Sequence, residues 1–510
     1  MIPTLCHRCR DIIVQEEETV NIDECDPLVA QMDALLARLT VKRHELKREI
    51  NQFHSPIIHK LPSGIMSIIF EFCLPDFADL DPPSSGLGVC IPLSLGAVCK
   101  HWREIAWSTP TLWSSIVIRV ERNNPDLQTA IVREWLARSG QLPLSIRIFS
   151  TTQNELTVSA LAKIINQYSH RWSDFDLCIP HDVYQYFHAT DNHAPILKSI
   201  RFHSYGFNKY HFQLTCPRLQ RASLSLYRSK NLLIQWDNLT HLYVEDMLVS
   251  EYFFILRKTP RLVFSSFSGG DYLTRLERPA EVQPIVSPLR SLRVGIMNDV
   301  ANNILDNLLC PLLEELSFGP SHLAASLGPA ISLIERSASS LCSFAITYIS
   351  VPIYSMHEDL MYFLQSMPSL KKLSMTFSSK CGFINILGLV VKILSSQRAT
   401  GTENCLPNLE ILEYSGTLYL CARNYSDLQS LPPANNAVQG PLKSIKFDLY
   451  PATRIPPTAI PFFLALLMER GLTVYVCSQS QDILQPSINH YEKREKQDWM
   501  DGLDLSLMQD

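Results

Sequence analysis

The chain has 510 residues, more than one hydrophobic core accommodates, so two or more domains are expected. Its 46% hydrophobic and 19% charged residues supply material for large cores and exclude a mostly disordered chain. A net charge of −5 and a pI near 6.3 leave no basic reservoir for phosphates, which argues against nucleic acid and for protein as the principal partner.

No apolar stretch long enough for an export signal precedes the acidic run Glu16 to Glu18. The most apolar windows, Phe383 to Leu394 and Ala459 to Met468, fall short of the roughly 18 to 20 residues of a membrane span, so no membrane partner is expected. The 14 cysteines follow no regular spacing and read as reduced thiols, many of them buried, in the cytoplasm and/or nucleus. Residues 1–26 read as an irregular tail. Cys6 and Cys9 have the spacing of two zinc ligands, but a closed site needs four and no second pair lies nearby, so neither metal nor cofactor is expected.

Residues 27–54 read as one amphipathic helix, with Leu28, Met32, Leu35, Leu39, Leu46, Ile50 and Phe53 recurring at steps of three and four between charged residues. Such a seam suits a coiled-coil dimer, but Lys42 or Arg43 falls where the seam needs an apolar residue, so packing within the chain is the preferred expectation. Ser55-Pro56 ends the helix.

In residues 55–120, Leu61-Pro62 precedes Ile65, Ile68, Ile69 and Phe72 on one helical face. After the Pro- and Asp-rich stretch Pro75 to Pro92, a second helix is expected to carry Leu95, Val98, Cys99, Trp102 and Ala106 on one face. The runs IHKLPSGIMSIIFEFCLP and LSLGAVCKHWREIAWSTPTLWSSIVI resemble an F-box, particularly the fungal type with a proline-rich insert between its helices, and the preceding helical seam is similar to the segment that often precedes the F-box in that group. The resemblance implies docking to the Skp adaptor of SCF-type cullin ubiquitin ligases. Leu61, Pro62, Ile65, Ile69, Val98, Cys99 and Trp102 would then fill an apolar groove, with Ile68, Phe72 and Ala106 as internal core. Gly64 departs from the acidic residue that usually starts the family's helix, at a cost on the order of 1 kcal/mol in helix propensity.

Residues 121–490 read as a second domain. Asp126 to Arg138 is expected to be a helix, with Ala130, Ile131, Trp135 and Leu136 as its apolar side and Ser139-Gly140 as its stop, leading into a strand at QLPLSIRIF. A weak repeat of the form L-x-x-L-x-L then recurs, led by Trp172, Leu197, Leu219, Leu239, Leu262, Leu289, Leu313, Leu341, Leu370, Leu409 and Leu442. Helical stretches are expected between some units, at Asn302 to Leu309, Leu327 to Arg336 and Asp359 to Met367. One unit cannot bury its own leucines but a stack can, so the expected class is α+β / α/β: an α-helical N-terminal region followed by a solenoid with a curved parallel sheet. The array resembles the leucine-rich repeats of many F-box proteins, divergently, because the asparagine-ladder position is mostly missing. Residues 491–510 read as a polar tail.

No Gly-x-Ser-x-Gly elbow, Gly-x-x-x-x-Gly-Lys loop, Gly-x-Gly-x-x-Gly turn or His-Glu-x-x-His helix occurs. Glu314 and Glu315 are strand neighbours that cannot converge on one substrate. No catalytic residue is therefore assigned. The expected role is a substrate receptor that brings a protein target to a ligase, with a non-ligase F-box scaffold as the alternative. A hydrolase assembled from distant residues is a third class. Strand alternation sends Arg201, His203, Arg221, His241, Tyr243, Glu245, Arg293, Glu315, Lys372, Glu413, Lys446 and Asp448 away from the leucines, which makes them the candidate target surface. Its mixed charge suits a protein better than a polyanion.

Overall fold

The computed structural model describes residues 22–54, 61–74, 91–120, 125–150, 155–205, 211–226, 231–269, 284–296, 304–319, 328–337, 341–348, 364, 367–377, 406–416, 442–449, 468, 472–478 and 481–482. The Cys6/Cys9 pair, residues 75–90 of the Pro- and Asp-rich insert, the Phe383 to Leu394 window, most of Asp359 to Met367 and of Ala459 to Met468, and the 491–510 tail lie outside them. The chain divides into two compact units, Met1–Pro75 with Ile91–Leu112, and Asp76–Cys90 with Trp113–Asp510. The second unit takes in the residues just after Leu112, which include the strand Ser115–Arg119.

The first unit contains α1 (Ile22–His54), α2 (Ser63–Glu71), α3 (Ile91–Val98) and α4 (Lys100–Ser108). Helix α1 starts earlier than expected and includes Pro27. Proline there removes one backbone hydrogen bond and crowds a first-turn carbonyl, a cost confined to the helix's N-terminal end. Its apolar residues Leu28, Met32, Leu35, Leu39, Leu46 and Ile50 are all exposed, which corrects the expectation of packing within the chain. The single second helix expected over Leu95 to Ala106 is two helices. Cys99 adopts an extended backbone between them, and its Sγ accepts a hydrogen bond from Trp102 N at 3.4 Å as the N-cap of α4. Gly96 lets α3 and α4 approach closely, since a Cβ there would overlap the Trp107 ring, and Arg103 Nε donates to Gly96 O at 2.8 Å. Ser67 Oγ, hydrogen-bonded to Thr109 Oγ1 at 3.0 Å, ties α2 to the end of α4.

The second unit is built on strands β1 (Ser115–Arg119), β2 (Leu144–Phe149), β3 (Trp172–Pro180), β4 (Ser199–Tyr205), β6 (Arg221–Ser225), β8 (His241–Glu245), β9 (Phe264–Gly269), β11 (Ser291–Ile296), β13 (Glu315–Phe318), β14 (Ser343–Tyr348), β15 (Lys372–Phe377), β16 (Ile411–Gly416), β17 (Ser444–Leu449), β18 (Thr473–Ser478) and β19 (Gln481–Asp482). They lie side by side in that order in one sheet, every described pair parallel except β18 with β19. Two small parallel pairs accompany it: β5 (Phe212–Leu214) with β7 (Leu232–Ile234), and β10 (Ile285–Val286) with β12 (Leu308–Leu309). Described helices of this unit include α5 (Pro125–Arg138), α6 (Glu155–Asn166), α7 (Val249–Leu256) and α8 (Gly328–Ser337).

The repeat has a local cause. Each leading apolar residue from Trp172 to Leu442 is buried. Most close a turn in which their N–H bonds the carbonyl three residues back, as in Leu219 to Cys216, Leu239 to Trp236, Leu313 to Cys310 and Leu409 to Leu406. The next two backbone N–H groups of the unit then share one carbonyl of the preceding unit: Thr240 and His241 on Gln220 O, Glu314 and Glu315 on Arg290 O, Lys443 and Ser444 on Glu410 O. This fork fixes the register, and alternation then buries Leu242 and Val244, Leu292 and Val294, Leu373 and Met375, and Ile445 and Phe447 on one side of the sheet. On that side Tyr252 of α7 hydrogen-bonds Ser265 at 2.8 Å, and burial pushes the Cys216 and Cys310 thiols up to about 11 and about 12, so both stay neutral core groups.

Two expectations change here. Helix α5 buries Val132, Trp135 and Leu136, while Ala130 and Ile131 face solvent, so the apolar side is rotated from the expected one. The expected helix Asn302 to Leu309 is a helical turn at 304–306 followed by β12. Its apolar spacing fits both forms, and pairing of Leu308 and Leu309 with Ile285 and Val286 decides. Gly140, at φ 59°, ends α5 as expected.

Candidate functional site

Among the described residues two surfaces stand out, one in each unit. In the first, Pro62 caps α2 with an extended backbone, and its carbonyl accepts from Ile65 N and Met66 N at 3.0 and 3.1 Å. Helix α2 buries Met66 and Phe70, and Phe70 packs against Trp102 of α4 with ring centroids 5.0 Å apart. Ile65, Ile68 and Ile69 are thereby turned outward, each more than 40% exposed, and Phe72 is 86% exposed. Ile68 and Phe72, expected in the internal core, are therefore surface residues, whereas Ala106 is fully buried. The reason is rotation: an α2 carrying apolar residues nearly all round has several candidate faces, and the Phe70–Trp102 contact selects one.

The anchor residues thus separate. Ile65, Ile69 and Val98 are open to a partner, Pro62 is exposed, and Leu61 is half-buried. Cys99 and Trp102 are half-buried and hold α4 and the α2 contact, so their first duty is internal. Leu93, exposed at the start of α3, joins the outward apolar set, although no sequence pattern singles it out.

In the second unit, the residues of the expected target surface lie on one side of the sheet, opposite the buried leucines, in three rows set by register. Arg221, His241, Glu315 and Lys372 share the first row, Arg201, Tyr243, Arg293, Glu413 and Lys446 the second, and His203, Glu245 and Asp448 the third. Nearby residues along and across these rows pair: Lys372 with Glu413 at 3.0 Å, His203 with Glu245 at 4.0 Å, and Ser291 donating to Glu315 at 3.0 Å. Tyr243 packs on Phe264 at 5.0 Å and Arg293 lies over the same ring at 5.2 Å. Glu314, just outside β13, pairs with Arg290 instead, so the two adjacent acids do not converge.

The rows hold a hollow of about 490 Å³ lined by Arg147, Asp174, Asp176, Arg201, Arg221 and Tyr243. Arg147 and Asp176 are buried there and bonded at 2.6 Å. Arg201 reaches the same carboxylate oxygen at 3.4 Å, and Arg221 approaches Asp174 at 3.8 Å. Burial raises the Asp176 carboxyl above its ordinary value, opposed by the Arg147 and Arg201 guanidinium groups. His241 is shifted the other way, below its ordinary value, by burial and by Arg221. Arg147, Asp174 and Asp176 lie on strands that precede Leu197, and the surface expected from sequence begins only after it. The same alternation in LSIRIF and WSDFDL places them on this side.

No helix among the described residues is long and apolar enough to cross a membrane. No protein-family model matches this chain, and a search of curated proteins finds no match either.

Proposed function

We propose that this chain is the substrate-receptor subunit of an SCF-type cullin ubiquitin ligase. The first unit is the F-box that docks on a Skp-type adaptor, and the second is a leucine-rich-repeat-like solenoid whose polar inner face recruits a protein target. The observation that carries this reading is the outward apolar set Ile65, Ile69 and Val98 on the short helices that bear the F-box resemblance. Exposed side chains of this size are what a hydrophobic groove buries as anchors. The sheet face supports the second half of the reading through its mixed charge and its Tyr243 and Arg293 side chains, types enriched among interface hot spots. Such a receptor needs no nucleophile of its own, because holding the target near the ubiquitin-charged enzyme supplies the rate.

The test uses exposed positions, since Trp102 supports the unit internally. Ile65→Asp combined with Ile69→Asp should abolish co-purification with a Skp-type adaptor and with cullin while the helical content stays constant. A folded double variant that still captures the adaptor would sink the reading. Adaptor capture without cullin would favour the non-ligase scaffold.

A further inference from the structure

From the hollow on the polar side of the sheet we infer that it holds a carboxylate of a peptide, gripped by Arg201 and Arg221, with a neighbouring aromatic or aliphatic side chain of that peptide laid against Tyr243 and Phe264. The inference rests on the reading of this sheet face as the target surface and not on the adaptor reading. Side-chain size makes the hollow. Ser199 stands between Asp174 and Arg221 in the first row, and Ser223 between Arg201 and Tyr243 in the second, so the sheet is low at both places. Arg221 of β6 reaches across Ser199 of β4 toward Asp174 of β3, and Arg201 of β4 leans to Asp176 of the same β3, so both guanidinium groups gather toward one strand. The resulting volume of about 490 Å³ lies within the roughly 300 to 1,000 Å³ of ligand sites.

Charge selects the occupant. The lining sets Arg147, Arg201 and Arg221 against Asp174 and Asp176, an excess of one positive charge. Arg147 is committed, being buried and bonded to Asp176 at 2.6 Å. Arg201 and Arg221 are not: their contacts with the aspartates are 3.4 and 3.8 Å, longer than a charge-assisted hydrogen bond, and their side chains are 47% and 57% exposed. Each keeps guanidinium N–H donors for an anion, in the planar fork that fits two carboxylate oxygens. A carboxylate cancels the excess charge, whereas a phosphate dianion would leave net negative charge beside two aspartates. Asp176 lines the same hollow, and its buried Oδ1 has no hydrogen-bond partner among the described residues. An unpaired buried oxygen is destabilising, and a peptide brings backbone N–H donors together with its carboxylate. Tyr243, 42% exposed, walls the hollow and packs on Phe264, whose ring also stacks with His241 at 5.8 Å. This aromatic platform beside an arginine pair suits a flat or branched side chain next to the bound acid.

A displayed library of random decapeptides with free C-termini is selected on the purified full chain, and enriched sequences are synthesised with an N-terminal fluorophore. They should carry a carboxylate, either the C-terminus or an Asp or Glu side chain, next to an aromatic or large aliphatic residue. Amidating the C-terminus, or replacing the Asp or Glu by its amide, tells the two sources apart: one of these changes should weaken binding about tenfold or more in fluorescence anisotropy. Arg201→Gln and Arg221→Gln should each weaken it to a similar extent, with the circular dichroism spectrum and adaptor capture unchanged. Arg290→Gln, at an exposed arginine outside the hollow, should leave it as it is. Peptides that bind without a carboxylate, that bind more tightly when phosphoserine replaces the acid, or that ignore both arginine changes overturn the proposal. Binding that falls with Lys446→Gln rather than with either arginine overturns it too, but leaves the sheet face standing as the target surface. A library that yields no binder overturns it and removes its support for that face.

Discussion

The short helices and the sheet handle apolar residues in opposite ways. Helix α2 leaves Ile65, Ile68, Ile69 and Phe72 in solvent, while the sheet hides its leucines and presents arginine, glutamate, serine and histidine instead. A strand has two faces and a period of two, so one buried face dictates a polar other. A nine-residue helix has a continuous circumference, and its neighbours cover only part of it. Apolar surface that a strand would have buried is thus left for a partner on the helix, and the sheet's exceptions are the buried pair Arg147 and Asp176 and a few exposed side chains such as Ile411 and Tyr475.

That contrast breaks most sharply at the buried charges. Arg147→Ala should cost up to about 3 kcal/mol in urea unfolding of the second unit, because it leaves the buried Asp176 carboxylate only the longer contact with the half-exposed Arg201. Replacing both residues with apolar ones of similar volume should recover much of the loss. A cost under ~1 kcal/mol for the single change would mean that the pair is solvated. On the helical side, Gly96→Ala should cost about 1 to 3 kcal/mol by overlap with Trp107, read as faster hydrogen exchange in peptides of α3 and α4 with the sheet unaffected. Gly64, which has open space around its Cα, should behave oppositely: Gly64→Ala should stabilise α2 by up to about 1 kcal/mol. The smallest effect expected is at His241. Its folded-state pKa lies below the ordinary value, so protonation favours the unfolded chain. Stability should therefore fall as pH drops from about 6.5 through that lowered value, and His241→Asn should flatten this slope. An unchanged slope would place the titration elsewhere.

Much of the second unit is legible before any coordinates. The motif PNLEILEY identifies Leu409 as the turn-closing residue, Leu412 and Tyr414 as buried and Glu413 as outward, and each of these follows from spacing alone. The outward rows are equally legible, including the wide gaps between units, because parallel pairing needs only the fork at each strand's start and tolerates insertions after it. The Arg147–Asp176 pair is less so, since nothing local distinguishes a strand arginine that is buried from the exposed Arg201 two strands further on.

Local pattern is enough to specify the parallel sheet's inward leucines and its polar face, because alternation along a strand is a local rule with one solution once a face is apolar. It is also enough to specify α1 as a single long helix. Long-range packing was needed to choose which face of α2 turns outward, to break one expected helix into two at Cys99, and to pair Leu308 and Leu309 as a strand. In each of these cases the local pattern admits several conformations of similar energy, and contacts with residues distant in sequence, Phe70 with Trp102, Gly96 with Trp107, and Leu308 with Ile285, select among them.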